Sequence, residues 1–298
     1  MTATAHTGER ARLIDLAQPM RRGMPQSPNH PPFRMVLERR HGDMVRSDGG
    51  SAANEVIITG GHVGTHVDAL AHVSQDGLVY GGLGPDGITG HNGFSELGID
   101  DFTPYVGRCL LLDVAAVHGV RTLPAGYEIT AADLDEAAAG LDPRPGEALL
   151  IGTGWSRLWA DGPAFTGRED GVPGPGEEAG HRLAEWRPAV VGGETIAFER
   201  LAPGLGHATL PVHRILLVES GINIVETMKL DELLDSGVRE FTLVLNPLNI
   251  VGATGAPVRP LAILGDLPVA GPAASGGSGG SVGSGGSSRS GECGESGE

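Results

Sequence analysis

Short, nearly continuous apolar runs alternate along the chain with helical and turn-rich stretches. Arg108–Val114 and Glu147–Ile151 read as strands buried on both faces, because aliphatic residues fill them without alternation. Phe241–Leu245 is a third such run, and Leu13–Leu16, Arg34–Arg40, Glu55–Thr59 and a last run ending at Ile263 complete the set of strands. Thr130–Gly140 predicts a helix with Thr130 as N-cap, acids in its first turn and Gly140 as its stop. Glu178–Trp186 predicts another helix, and Val190–Glu199 a strand leaving through a turn. The apolar spacing of Ile215, Leu216, Leu217 and Val218 fits a helix stopped by Gly221, after which Ile222–Val225 alternates as a strand and carries Glu226 at its end. Buried strands alternating with helices predict an α/β fold with a mixed β-sheet and flanking helices.

The connections follow from turn chemistry. Prolines at 25, 28, 31 and 32 fix Met20–Phe33 as an extended loop, His41–Ala53 is a polar loop, and Val73–Gly82 is a turn-rich stretch expected to lie over the site. His91 is expected in an exposed loop, and residues 161–180 as a Gly/Pro loop. Asn246–Pro260 is expected as a constrained loop before the final strand. Gly152-Thr153-Gly154-Trp155 lacks the third glycine and the ribose-binding acid of a dinucleotide fingerprint. It predicts a tight turn exposing Thr153 and Trp155 beside a pocket, as candidate substrate contacts. Residues 1–11 read as a flexible N-terminus and 12–270 as the folded domain. From 271 to 298 the chain is nearly all Gly and Ser, too poor in apolar surface to offset ordering entropy, and is expected to be disordered.

Composition narrows the class. With 298 residues and 40% hydrophobic content the chain can bury a sizeable core, and aromatic content of 4% predicts an aliphatic one. A formal charge of -16, with no run of Lys and Arg, argues against nucleic acid and anionic membranes as partners. No long apolar run or apolar N-terminal region occurs, so a cytoplasmic protein acting on a small molecule is the expectation. Two cysteines, Cys109 and Cys293, exclude a disulfide framework and a thiolate zinc site.

The chemistry concentrates in Gly61–His72, where His62, His66, Asp68 and His72 are separated only by small or apolar residues. Imidazole nitrogens and a carboxylate oxygen bind a divalent ion such as zinc at about 2.0–2.2 Å, so these side chains must converge. A straight strand would hold His62 and His66 roughly 13 Å apart. The glycines and β-branched residues around them resist a helix. The stretch therefore predicts a bend relaxed by Gly64, with His62, His66 and Asp68 turned inward. A helical turn after Asp68 would set His72 above it, looking into the site without having to be a ligand.

His62-x-Gly64-Thr65-His66-x-Asp68-x-x-x-His72 resembles the signature His-x-Gly-Thr-His-x-Asp-x-Pro-x-His of the cyclase family, metal-dependent hydrolases of the kynurenine formamidase and isatin hydrolase type. Leu70 stands where that signature has proline, and no ligand is lost by the change. The resemblance spans roughly residues 12–265 and implies a swivelling β/β/α fold. It also implies that His62, His66 and Asp68 bind metal and that His72 transfers protons. A helix-borne histidine and a glutamate after the next strand would complete the centre, and His213 and Glu226 match by their flanks. The competing pair His207 and Glu219 has a similar spacing but different surroundings. Gln26-Ser27 occupies the place of a ring-stacking tryptophan in kynurenine formamidase, which makes formylkynurenine a poor candidate substrate and leaves Gln26 and Ser27 as candidate contacts.

The implied activity is hydrolysis of a C–N bond (amide, formamide or cyclic amide) or an ester by metal-activated water. The ion is expected to be zinc, with manganese as the alternative, in one or two copies. Cyclisation or dehydration of a polyketide-like intermediate is the second reading, and a non-catalytic metal- or ligand-binding module the third. A homodimer or higher homo-oligomer is the expected assembly.

Overall fold

The computed structural model describes residues 11–265. The expected flexible N-terminus and Gly/Ser tail lie outside the described residues, apart from Ala11. The fold is α/β, built on one nine-stranded mixed sheet. Its strands, in chain order, are β1 (Arg12–Asp15), β2 (His66–Asp68), β3 (Tyr105–Asp113), β4 (Ala148–Gly152), β5 (Val190–Gly193), β6 (Asn223–Glu226), β7 (Glu240–Leu245), β8 (Gly255–Pro257) and β9 (Leu261–Leu264). The order across the sheet is β1-β9-β7-β3-β4-β5-β6-β2-β8. The central strands β3, β4, β5 and β6 run parallel, and every pairing outside them is antiparallel.

Cys109–Leu112 of β3 and Ala148–Ile151 of β4 are uninterrupted apolar runs because both faces of the sheet are covered. Cys109, Leu111, Leu150, Val190 and Val225 enter one core, while Leu110, Leu112, Leu149, Val191 and Ile224 enter the other. The second face carries α1 (Ala131–Ala137), α2 (Glu177–Trp186) and α3, whose first turn Pro211–His213 runs on as a π-helix over Arg214–Glu219. A capping box starts α1: Thr130 accepts from the Asp133 N–H at 3.1 Å, and Asp133 accepts from the Thr130 N–H at 2.8 Å. A fourth helix, α4 (Asp231–Ser236), buries Leu233 in the first core. These two cores are aliphatic as expected. The larger aromatics collect in a third cluster, where Trp155, Trp159 and Phe165 pack with Phe33 and Ile196.

Three local expectations shift. The Gly/Pro loop at 161–180 contains a short helix, Gly162–Thr166, because the Asp161 side chain accepts from the Ala164 N–H at 3.3 Å and Pro163 stands in its first turn. The helix before Gly221 starts earlier, at Pro211, whose fixed φ suits a first helical residue. The constrained loop after β7 gives up Gly255–Pro257 to the sheet as β8.

Arg34–Arg39 and Asn54–Ile58 pair as a separate two-stranded ribbon rather than joining the main sheet. Met35, Val36, Leu37, Val56, Ile57 and Ile58 are all exposed on it.

Candidate metal centre

Sheet register assembles the first part of the site. His66 and Asp68 are two residues apart on β2 and so share a face, and Glu226 on β6 lies directly opposite His66. That face is the one covered by helices, since Ile224, two residues before Glu226, belongs to the helix-side core. Gly64 turns the chain into β2 at φ +73°. Gly61 lets the loop touch β8: a Cβ there would stand 2.5 Å from the Gly255 carbonyl oxygen. The expected bend is thus present, and His62, His66 and Asp68 point inward. After β2 the chain makes a single turn from Ala69 to His72, closed by the His72 N–H donating to the Ala69 carbonyl at 3.0 Å. His72 faces the site, its ring stacked on His62 with centroids 3.8 Å apart.

Asp68 is the hub. Its Oδ1 lies 2.6 Å from His62 Nδ1 and 3.3 Å from His66 Nε2, and its Oδ2 is 3.6 Å from His213 Nε2. Glu226 spans the same two imidazoles, 3.5 Å from His66 Nε2 and 3.2 Å from His213 Nε2. His213 reaches them from the first turn of α3, above the sheet. His66 donates Nδ1–H to the Gly64 carbonyl at 2.8 Å, which turns its Nε2 toward the carboxylates. Three buried atoms, His66 Nε2, Asp68 Oδ2 and Glu226 Oε1, have no hydrogen-bond partner. One ligand atom from each of His66, Asp68 and Glu226 lies within 4.8 Å of the others, and the same holds for His62, Asp68 and His72. Converging buried side chains that keep one nitrogen and two oxygens without partners fit a divalent cation, which would satisfy them. For His62 to join, its ring must release Asp68, while Thr254 Oγ1 holds its other nitrogen at 2.9 Å.

The electrostatics match a cation site. Burial pushes the Asp68 carboxyl up, but the imidazoles of His72, His213, His62 and His66 gathered around it outweigh burial and hold Asp68 well below the usual carboxylate range. Burial and repulsion from Asp68 raise Glu226. Burial opposes charge on His66, yet the neighbouring Asp68 and Glu226 carboxylates lift it to about 9, and His213 is raised by the Asp68, Glu199 and Glu226 carboxylates around it despite its own burial. His72 goes the other way, to about 3, because burial and the neighbouring imidazoles outweigh Asp68. It is therefore neutral at pH 7.

Several contacts have no counterpart in the sequence reading. Glu199 accepts from His213 Nδ1 at 2.6 Å. Asn223 donates to the Asp68 carbonyl at 2.8 Å, and Thr65 Oγ1 donates to the Thr227 carbonyl at 2.6 Å, tying β2 to the end of β6. His30 stacks on His62 at 5.3 Å. Thr65 lies within the quoted signature, and the other residues stand in no spacing that marks them. The competing pair is not brought together: Glu219 is an exposed partner of Arg214 at 3.4 Å, while half-buried His207 lines a cavity of about 160 Å³ with Gln26, Pro28 and Ile196.

The candidate substrate contacts divide. Thr153 and Trp155 are buried, contrary to expectation, because the Glu194 carboxylate draws their turn inward. Glu194 accepts from the Thr153 N–H and Oγ1–H at 2.6 and 2.7 Å, from the Gly154 N–H at 2.6 Å and from Ser156 Oγ–H at 2.6 Å. Trp155 donates Nε1–H to the Phe165 carbonyl at 2.8 Å, and its ring lines a cavity of about 700 Å³ with Met24, Pro25 and Gln26. Gln26 ties its own loop, donating to the His30 carbonyl at 2.9 Å and accepting from the Phe33 N–H at 3.3 Å. Ser27 is buried within that loop and accepts from the Asn29 N–H at 3.3 Å.

The profile of the Cyclase family matches residues 14–200. A kynurenine formamidase of Erythrobacter litoralis (strain HTCC2594) is 28% identical over 264 residues, 87% of this chain and 96% of that protein. The crystal structure of a novel cyclase superposes with a TM-score of 0.76 at 32% identity, covering 85% of this chain and 89% of that one. Isatin hydrolase A from Ralstonia solanacearum shares the fold, with a TM-score of 0.65 at 24% identity over 85% of this chain and 92% of its own.

Proposed function

The chain belongs to the Cyclase family and is a hydrolase, and from that premise we propose that it opens a C–N bond (amide, formamide or cyclic amide) or an ester of a small molecule at a divalent metal centre. His62, His66, Asp68, His213 and Glu226 would hold the metal, and His72 would carry the proton. The observation that carries this reading is the convergence of His66, Asp68 and Glu226, each of which keeps a buried polar atom without a hydrogen-bond partner. The nitrogen and oxygen donors suit zinc first and manganese second, and the carboxylates of Asp68 and Glu226 reach toward both His66 and His213, so one or two ions fit.

When bound, the ion supplies charge that acidifies water and polarises a carbonyl. The chain does the rest. Asp68 and Glu226 fix the imidazoles of His66 and His213 around one point, and burial keeps competing water out. His72, whose buried imidazole is held in the neutral form, would take the proton from water and pass it to the leaving nitrogen or oxygen. Gln26 and Trp155 would contact the substrate from the cavity they share. Thr153 would act through the turn that holds Trp155, and Ser27 through the loop that holds Gln26. With Gln26-Ser27 in place of a stacking tryptophan, the reading favours substrates other than formylkynurenine.

A homodimer in the cytoplasm belongs to the same reading. A lone two-stranded ribbon with apolar side chains in water is marginal and prone to pair, and a second copy would cover it. Among the described residues no helix is long and apolar enough to cross a membrane.

Chelator-stripped protein, reloaded with zinc or manganese, should be assayed on N-formyl anilides, isatins, imides and lactones. Hydrolysis of at least one class should vanish on stripping and return on reloading. Turnover indifferent to metal removal would refute the centre.

A further inference from the structure

Glu199 touches the metal centre from behind. It is buried, and each of its oxygens is committed: Oε1 accepts from His213 Nδ1–H at 2.6 Å and from the His213 backbone N–H at 2.8 Å, and Oε2 accepts from the Val212 N–H at 3.0 Å. One carboxylate thus caps the first turn of α3 and orients the imidazole that projects from it. With Nδ1–H donated to Glu199, Nε2 is the nitrogen that offers a lone pair once an ion displaces its proton, and it lies 3.2 Å from Glu226 and 3.6 Å from Asp68. A ring without that anchor could turn away or adopt the other tautomer.

The backbone points the same way. Phe198, just before Glu199, sits at φ +54°, and Thr227, just after Glu226, at φ +56°. A bulky and a β-branched residue in the left-handed region are both strained, and such strain persists only where the surroundings impose it. The Thr227 N–H donates to the Thr195 carbonyl at 3.0 Å, so the segment bearing Glu199 is bonded to the strand bearing Glu226. The two carboxylates that flank His213 are held in one backbone frame.

We propose that Glu199 is a positioning residue that fixes the tautomer and orientation of His213 for metal binding, an inference that rests on the metal-centre reading above. The same segment contains its control. Glu194 is equally buried, but its bonds go to Thr153, Gly154 and Ser156 and none to a proposed ligand.

The test compares zinc affinity, by competition with a chromophoric chelator, and the melting of the metal-free protein in the parent, Glu199→Gln and Glu194→Gln. Glutamine keeps the volume of Glu199, but its amide N–H₂ would face the Val212 N–H or the imidazole N–H, donor against donor. Glu199→Gln should weaken zinc binding by about 10- to 100-fold. Glu194→Gln should lower the melting temperature and leave the zinc affinity at the parent's value. Glu199→Asp keeps the charge but falls one methylene short of Nδ1, so it should weaken zinc as well and keeps the test available if the glutamine variant does not fold. Parental affinity in both Glu199 variants, or an equal loss in Glu194→Gln, would overturn the positioning role. A parent chain that binds neither zinc nor manganese would instead remove the metal centre itself, and the inference with it.

Discussion

The paired strands carrying His66, Asp68 and Glu226 and the loops carrying Gln26, Thr153 and Trp155 are built differently. On the strands, pairing alone decides which side chains meet: His66 opposes Glu226, and the pleat places Asp68 on the same face. In the loops, single side-chain bonds across long stretches of chain decide orientation, as when Glu194 pulls in a turn 41 residues away. In the proposed reading the chemistry is therefore set by sheet register, and the substrate contacts by loops that can change without disturbing it.

The largest effect that would break this comparison is loss of the hub. Asp68→Ala should empty the centre and reduce hydrolysis to background while the fold survives; metal analysis showing parental content would exclude Asp68 as a ligand. His72→Ala should keep the metal and lower kcat by about 10²- to 10⁴-fold, as expected for a lost general acid or base. Metal loss in that variant would make His72 a ligand, which its position beside His62 and Asp68 permits. Glu226→Gln should lower metal content, whereas exposed Glu219→Gln should not, and the reverse order would move the centre to the other pair.

Acidification sharpens the electrostatic half of the account. An ion must displace the protons on His66, lifted to about 9, and on His213, also raised, so apparent zinc affinity should climb with pH up to about 9 and level off above it. A flat profile between pH 6 and 9 would contradict those shifts. The smallest effect belongs to the loops. Thr153→Ala removes one donor from buried Glu194 and should lower stability by about 1–3 kcal/mol in denaturant unfolding with kcat/KM near the parent's. A large loss of kcat/KM would return Thr153 to direct substrate contact.

The sequence and the structure agree most closely where the information is local. His62, His66, Asp68 and His72 fall within one stretch, and the alternation of Ile222–Val225 leads to Glu226 at the end of a strand. The central strands were legible for the same reason, as apolar runs fit for burial on both faces. Glu199 was not legible, since its reach to His213 depends on a left-handed turn at Phe198, a residue type that does not announce one. The Gly152-x-Gly154 turn was legible as a turn, but its inward direction depends on a carboxylate far along the chain. The exposed ribbon follows the predicted strands Arg34–Arg40 and Glu55–Thr59 closely, yet nothing in their pattern says that they pair apart from the main sheet.

The central claim is that one cation site lies between β2, β6 and the first turn of α3. Anomalous diffraction from crystals of the zinc- or manganese-loaded protein tests it most directly. The account predicts a peak at about 2.0–2.2 Å from the Asp68 carboxylate and within ligand distance of His66 or His213. A peak elsewhere, or none at saturating metal, would contradict it.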